Sequence, residues 1–233
     1  MIRISEKLSN LKFLEYIKST LSEAFSMTCI AEIVSSDSER CYLTVNEKPM
    51  YTSLVIGEIL SKIADVITIG YKYSFLSKRV KCAGLKLSEN ELFLTGVIAA
   101  DYPDDKEYVL KKLEGFTDVA IDGFYNFRIK NLRKKWEEVS AMLPKTFEKE
   151  DLTEFFSYMQ AESDKKVYLD KNSLYDEHFK KLDLAALLSA EGDIIKEIIL
   201  SNPAEIIVKR NSFCGDAELS GIKEYYGKCV RFA

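Results

Sequence analysis

Apolar and polar positions recur with two different periods along this chain, and the change of period divides it into three parts. Over residues 5–25, Leu11, Leu14, Leu21 and Phe25 keep three- or four-residue spacing or its multiple, which predicts an amphipathic helix with Ser5 as N-cap. CIAEIV (29–34) and RCYLTVN (40–46) read as strands, and the hydrophilic SSDSE between them predicts a hairpin. From 51 to 160 the pattern is helical. A helix over 54–80, started by Ser53, puts Glu58, Lys62 and Asp65 on one solvent face. A second covers 88–101, with Ser88 and Glu91 as a capping box, and a third follows Pro103 and ends at Gly115. Residues 117–122 are extended or turning.

The most regular stretch is 122–143, where Tyr125, Ile129, Leu132, Trp136, Val139 and Leu143 recur at spacings 4, 3, 4, 3 and 4. It predicts one helix about 33 Å long, with Trp136 at the centre of its buried stripe and Pro144 as its stop. The last third changes character. KVYLD (166–170), EIIVKR (205–210) and KCVRF (228–232) read as strands, and DIIKEIILS (193–201) and AELSGIKEYY (217–226) as helices. Strand–helix–strand units of this length predict a parallel crossover. Few strands stand at either end, and an isolated hairpin is only marginally stable. The expected fold class is therefore α/β in the mixed α+β sense. A small mixed sheet built from N- and C-terminal strands would form a body of residues 1–50 and 161–233, with 51–160 as a helical insertion or layer.

Composition narrows the function more than it identifies it. The 233 residues hold 33 Lys+Arg and 37 Asp+Glu, a net charge of −4, which argues against a wholesale nucleic-acid coat protein. A single histidine, His178, removes multi-histidine metal sites. The five cysteines are scattered with no CxxC pair, which suits reduced core residues. No GxGxxG, Walker A or HExxH pattern occurs, so no cofactor and no metal are expected. The N-terminal stretch interleaves charges with apolar residues and lacks a signal-peptide core, and the apolar run 54–69 carries three charges, too many for a membrane span. A cytoplasmic location is expected.

Several segments carry candidate chemistry. NFRIKNLRKKW (126–136) holds five basic residues and no acid among aromatics, but on one helix those charges spread around the axis, and Arg133–Glu137 and Lys134–Glu138 can pair. Residues 72–86 are basic as well, with Lys72, Lys78, Arg79, Lys81 and Lys86. Away from the main stripe of 122–143, Phe124, Phe127 and Asn131 lie with Arg128 close by. Either protein surrounds this end and a partly buried Arg128 has a carboxylate partner, or these four residues form a pocket that takes an anion or a partner. Asp101, Asp104 and Asp105 form either a cation site or a turn that opens the next helix. Cys214 lies between strand and helix, where a thiol can be activated, but it would need His178 as base.

The segment DVAIDGFYNFRIKNLRKKWEEV (118–139) resembles the YtxC-like sporulation proteins of endospore-forming bacteria, in which a similar motif opens a long helix. ADVITIGYKY (64–73), NELFLTGVIAADYPDDKEYVLKKL (90–113) and PAEIIVKRN (203–211) are similar to the same family, so that the resemblance covers about 51–233. It implies a role in sporulation and supplies neither an activity nor catalytic residues. The leading expectation is a non-enzymatic cytoplasmic protein that acts through an unknown protein partner, with homo-oligomerisation open. The alternatives are a nucleic-acid-binding protein using 72–86 and 126–136, and an enzyme of unknown type using Arg128 or Cys214.

Overall fold

The computed structural model describes residues 1–35, 38–188, 193–209 and 216–232. It is a mixed α+β protein with two sheets, and it divides into two compact units: Met1–Ser74 with Tyr102–Val139, and Phe75–Asp101 with Ser140–Ala233. The expectation of one sheet shared by both ends is corrected. The strands of the two ends belong to different sheets, each completed by strands the pattern does not show: one that runs into the first helix and several of two or three residues.

The first unit opens with a strand, β1 (Ile2–Lys7), within the residues that read as the start of a helix. Ser5 is thus a strand residue, and helix α1 begins only at Leu11 and runs to Phe25. The hairpin forms as expected, from β2 (Cys29–Ser35) and β3 (Arg40–Glu47). A further strand, β4 (Asp118–Ala120), completes the sheet in the order β2-β3-β1-β4, parallel to β1 at the edge, while the other pairs are antiparallel. Alternation along β3 buries Cys41, Leu43 and Val45, and α1 packs on the sheet with Phe13, Leu14, Ile17 and Leu21.

Helix α2 (Thr52–Asp65) buries Val55, Ile59 and Ile63 at four-residue spacing, then widens into a π-helical segment, Val66–Tyr71, before α3 (Lys72–Leu76). The face expected in solvent is not there: Asp65 is 1% exposed. Its Oδ1 lies 2.6 Å from Lys106 Nζ and accepts the Tyr102 hydroxyl at 2.6 Å, while Oδ2 accepts from Tyr16 at 3.2 Å and faces Lys62 at 3.5 Å. Tyr102 and Lys106 come from α4 (Leu87–Leu113), one helix that continues through Pro103 where two were expected. Asp105 of α4 is therefore mid-helix rather than in a turn, and it has its own cluster. Lys72, with no exposed surface, donates to its Oδ2 at 2.7 Å, the Trp136 indole N–H to the same oxygen at 2.8 Å, and Lys135 to Oδ1 at 2.9 Å.

The second unit carries the sheet β7-β6-β5-β8-β9, made of β5 (Lys166–Asp170), β6 (Ser173–Tyr175), β7 (Lys181–Leu182), β8 (Glu205–Val208) and β9 (Val230–Phe232). Lys171 and Asn172, at φ 47° and 59°, make the two-residue turn between β5 and β6. The parallel crossovers are present, β5 with β8 and β8 with β9. Helices α7 (Lys149–Ala161) and α8 (Ile194–Ser201) both pack on α9 (Asp216–Tyr226). Asp193 caps α8 by accepting from the backbone of Ile195 and Lys196. Gly96 sits where a Cβ would lie 2.8 Å from a ring carbon of Phe156, and that ring is packed against Tyr225 and Tyr226.

Two stability measurements check these cores. Trp136→Ala is expected to cost about 3–5 kcal/mol, and Trp136→Phe, which keeps most of the volume but removes the donor to Asp105, about 1.5–3 kcal/mol; chemical denaturation of both variants orders them. Gly96→Val should destabilise by about 1–3 kcal/mol because the packed Phe156 ring cannot retreat. A melting temperature at or above that of the wild type would contradict the close approach at Gly96.

Candidate functional site

The chain leaves α4 through Gly115, whose φ of 82° suits a residue without Cβ. The Phe116 N–H bonds back to the Leu113 carbonyl, and β4 follows at once. Because the Arg3 N–H pairs with the Thr117 carbonyl, the parallel ladder turns the backbone of Thr117 and Val119 toward β1. Asp118 then directs its N–H and C=O, and Ala120 its N–H, to the open edge, and both residues are exposed.

Helix α5 (Ile121–Phe127) starts directly after this edge. Its first turn is held by Asp122, whose carboxylate takes both Arg40 guanidinium nitrogens at 2.7 and 3.1 Å, while Arg40 also donates to Ser5 Oγ at 3.1 Å. The Arg40 hydrogen bonds hold the Asp122 carboxyl below its ordinary 3.8 despite partial burial. Next to it on β1, Glu6 is fully buried; it accepts from the Tyr71 hydroxyl at 2.7 Å and the Lys7 N–H at 2.8 Å, yet burial still pushes its pKa above the ordinary value. Tyr71, stacked on Tyr125 at 4.4 Å, is pushed up in turn by burial and by Glu6.

The single long helix expected over 122–143 is corrected to two, α5 and α6 (Lys130–Met142), with a break at Arg128 and Ile129. Ile129, Leu132 and Trp136 remain buried as the stripe predicted, so the break alters what lies N-terminal to them. There a surface cleft of about 400 Å³ opens between the β4 edge and α5. Phe116, Phe124, Phe127 and Arg128 line it together with Gly123 and the strand. Phe124 is 5% exposed and meets Phe116 edge-on at 6.1 Å, whereas Phe127 is 73% exposed.

Three of the four candidate residues, Phe124, Phe127 and Arg128, thus come together in one cleft, while Asn131 is exposed and does not line it. The partly buried, carboxylate-paired Arg128 is corrected as well. Arg128 is exposed, lies 5.8 Å over the Phe116 ring, and has no carboxylate partner among the described residues. The strand edge, Phe116 and Gly123 were not among the candidates, since a three-residue strand gives no countable alternation. Elsewhere, the basic segments are partly spent inside the fold. Lys72 and Lys135 hold Asp105, and Arg133 lies 4.8 Å over the Tyr125 ring. Cys214 falls outside the described residues, and His178 is exposed beside Glu177. Among the described residues no group of His, Cys, Asp or Glu could hold a metal ion, and no helix is long and apolar enough to cross a membrane.

One exposed ring, Phe127, the part-buried Phe116, the Arg128 guanidinium and an open strand edge thus border a single cleft. No family model, curated protein or solved structure matches the chain.

The anchor of this site has a pH signature. Asp122 has a lowered folded-state pKa, so its contribution is present above 3.8 and lost as pH falls through the folded value. Glu6 has a raised one, so its contribution is present below 4.5 and lost as pH rises through the folded value. Melting curves between pH 2 and 7 should therefore show Asp122→Asn losing stability near neutrality and converging on the wild type in acid. Glu6→Gln should instead gain relative to the wild type as pH rises.

Proposed function

We propose that this is a non-enzymatic binding protein that acts by docking a protein partner in the cleft between β4 and α5. The observation that carries the reading is Phe127, a large aromatic 73% exposed at the mouth of a cleft that already contains two further phenylalanines and an arginine. Aromatic and arginine side chains are the groups that dominate binding energy at protein interfaces. The resemblance of residues 51–233 to YtxC-like sporulation proteins supplies the context in which such a partner would act, in the cytoplasm of a spore-forming cell.

The nucleic-acid reading has less to build on. It needs a contiguous basic surface, yet Lys72 is buried, Lys135 is paired with Asp105, and Lys134 lies 3.9 Å from Glu138.

The test is capture by immobilised wild-type protein and by Phe127→Ala, both from nuclease-treated and untreated lysate of sporulating cells, with quantitative mass spectrometry. A protein retained by the wild type and reduced roughly tenfold or more on Phe127→Ala is expected. Identical retention on both, or retention abolished by nuclease, would overturn the reading.

A further inference from the structure

Resting on the docking role of this cleft, we infer that its occupant is an extended peptide segment that adds as a strand to the free edge of β4 and places an aspartate or glutamate on Arg128. Three features converge. The first is backbone chemistry. The ladder register leaves the N–H and C=O of Asp118 and the N–H of Ala120 directed away from β1, at the exposed end of the sheet. A row of such groups is a template for an incoming strand.

The second is the adjoining apolar wall. A strand laid on β4 would run beside the cleft, so an apolar side chain of every second residue could enter between Phe116, Phe124 and Phe127. The space beside Gly123 is open: a Cβ there would meet only the Ala120 Cβ, at 3.5 Å, an ordinary contact.

The third is charge. Arg128 lies on the cleft over Phe116, and among the described residues no carboxylate forms an ion pair with it. The first acidic residue of α5, Asp122, is occupied by Arg40. A guanidinium presented this way favours a carboxylate, which it can take with two parallel hydrogen bonds. Asp118, exposed on the same edge, opposes a second acid beside it, so the complementary segment carries an isolated acidic residue among apolar ones rather than an acidic run.

Selection from a phage-displayed library of random 12-residue peptides against the full chain, followed by fluorescence anisotropy with fluorescein-labelled synthetic copies, tests the inference. Expected are peptides that combine apolar residues with one Asp or Glu and lack proline. Their affinity should fall roughly tenfold or more with Arg128→Glu, and it should be recovered in part when the acid of the peptide is changed to lysine. It should fall as strongly when alternate peptide amides are N-methylated, a change that removes the strand bonds and leaves the protein untouched; Ala120→Pro is the matching change on the protein. Basic or helical binders, or acidic binders insensitive to N-methylation, would overturn the inference while leaving Phe127-dependent capture from lysate standing. Absence of both peptide binders and Phe127-dependent capture would overturn the docking function itself. Sedimentation showing a dimer that Ala120→Pro dissociates would assign the edge to a second copy of the chain and likewise overturn it.

Discussion

Two buried carboxylates, Asp65 and Asp105, organise the helices of the first unit, because each fixes several elements at a single point. Lys72 has no contact with water, and a lysine ammonium in that position is tolerable only with a counter-ion at hydrogen-bond distance. Asp105 supplies it at 2.7 Å and at the same time binds the indole of Trp136. The start of α3, the middle of α4 and the centre of α6 are thereby held together. Asp65 does the same for α1, α2 and α4 through Tyr16, Lys62, Tyr102 and Lys106. Sliding α3 or α4 by one turn would leave a charge buried without its partner, and sliding α1 or α6 would take a hydrogen-bond donor from one of these carboxylates, so the clusters specify register as well as adding contact energy.

The cleft between β4 and α5 follows from two such anchors set close together in sequence. Trp136 and the buried Ile129 and Leu132 place α6, whereas the Asp122–Arg40 pair places α5 against β1 and β3. The helices are held by different partners and do not continue one another. The chain takes up the difference at Arg128 and Ile129. Phe127 and Arg128 fall at that break and emerge into solvent beside the strand edge. A helix running straight from 122 to 143 would have no break there to open the cleft.

The π-helical segment Val66–Tyr71 belongs to the same arrangement. Asp65 stands before it, Lys72 after it, and Tyr71 at its end reaches Glu6 on β1. Such segments are rare and appear mostly as single turns inserted in α-helices, and this one has partners at both ends. Here the partners are buried ionic and hydroxyl groups, which makes the segment part of the framework behind the cleft.

The sequence by itself determined the local elements whose pattern is long and whose burial is one-sided: α1 from Leu11 onward, the hairpin β2–β3, the buried stripe of Ile129, Leu132 and Trp136, and the parallel strand–helix–strand end. It also brought Phe124, Phe127 and Arg128 into view as a second apolar face beside a cation. What it could not determine were features without a periodic signature. Strand β1 is six residues long and runs into α1, and β4, β6 and β7 have two or three residues each, so the strands of the two ends read as one sheet rather than two. Glu58, Lys62 and Asp65 have the spacing of a solvated face, and Asp105 that of a turn, because spacing alone does not distinguish a charge facing water from one facing a lysine on another helix. Only tertiary structure decides that, through partners distant in the chain, and distant partners likewise break the long helix at Arg128 and Ile129.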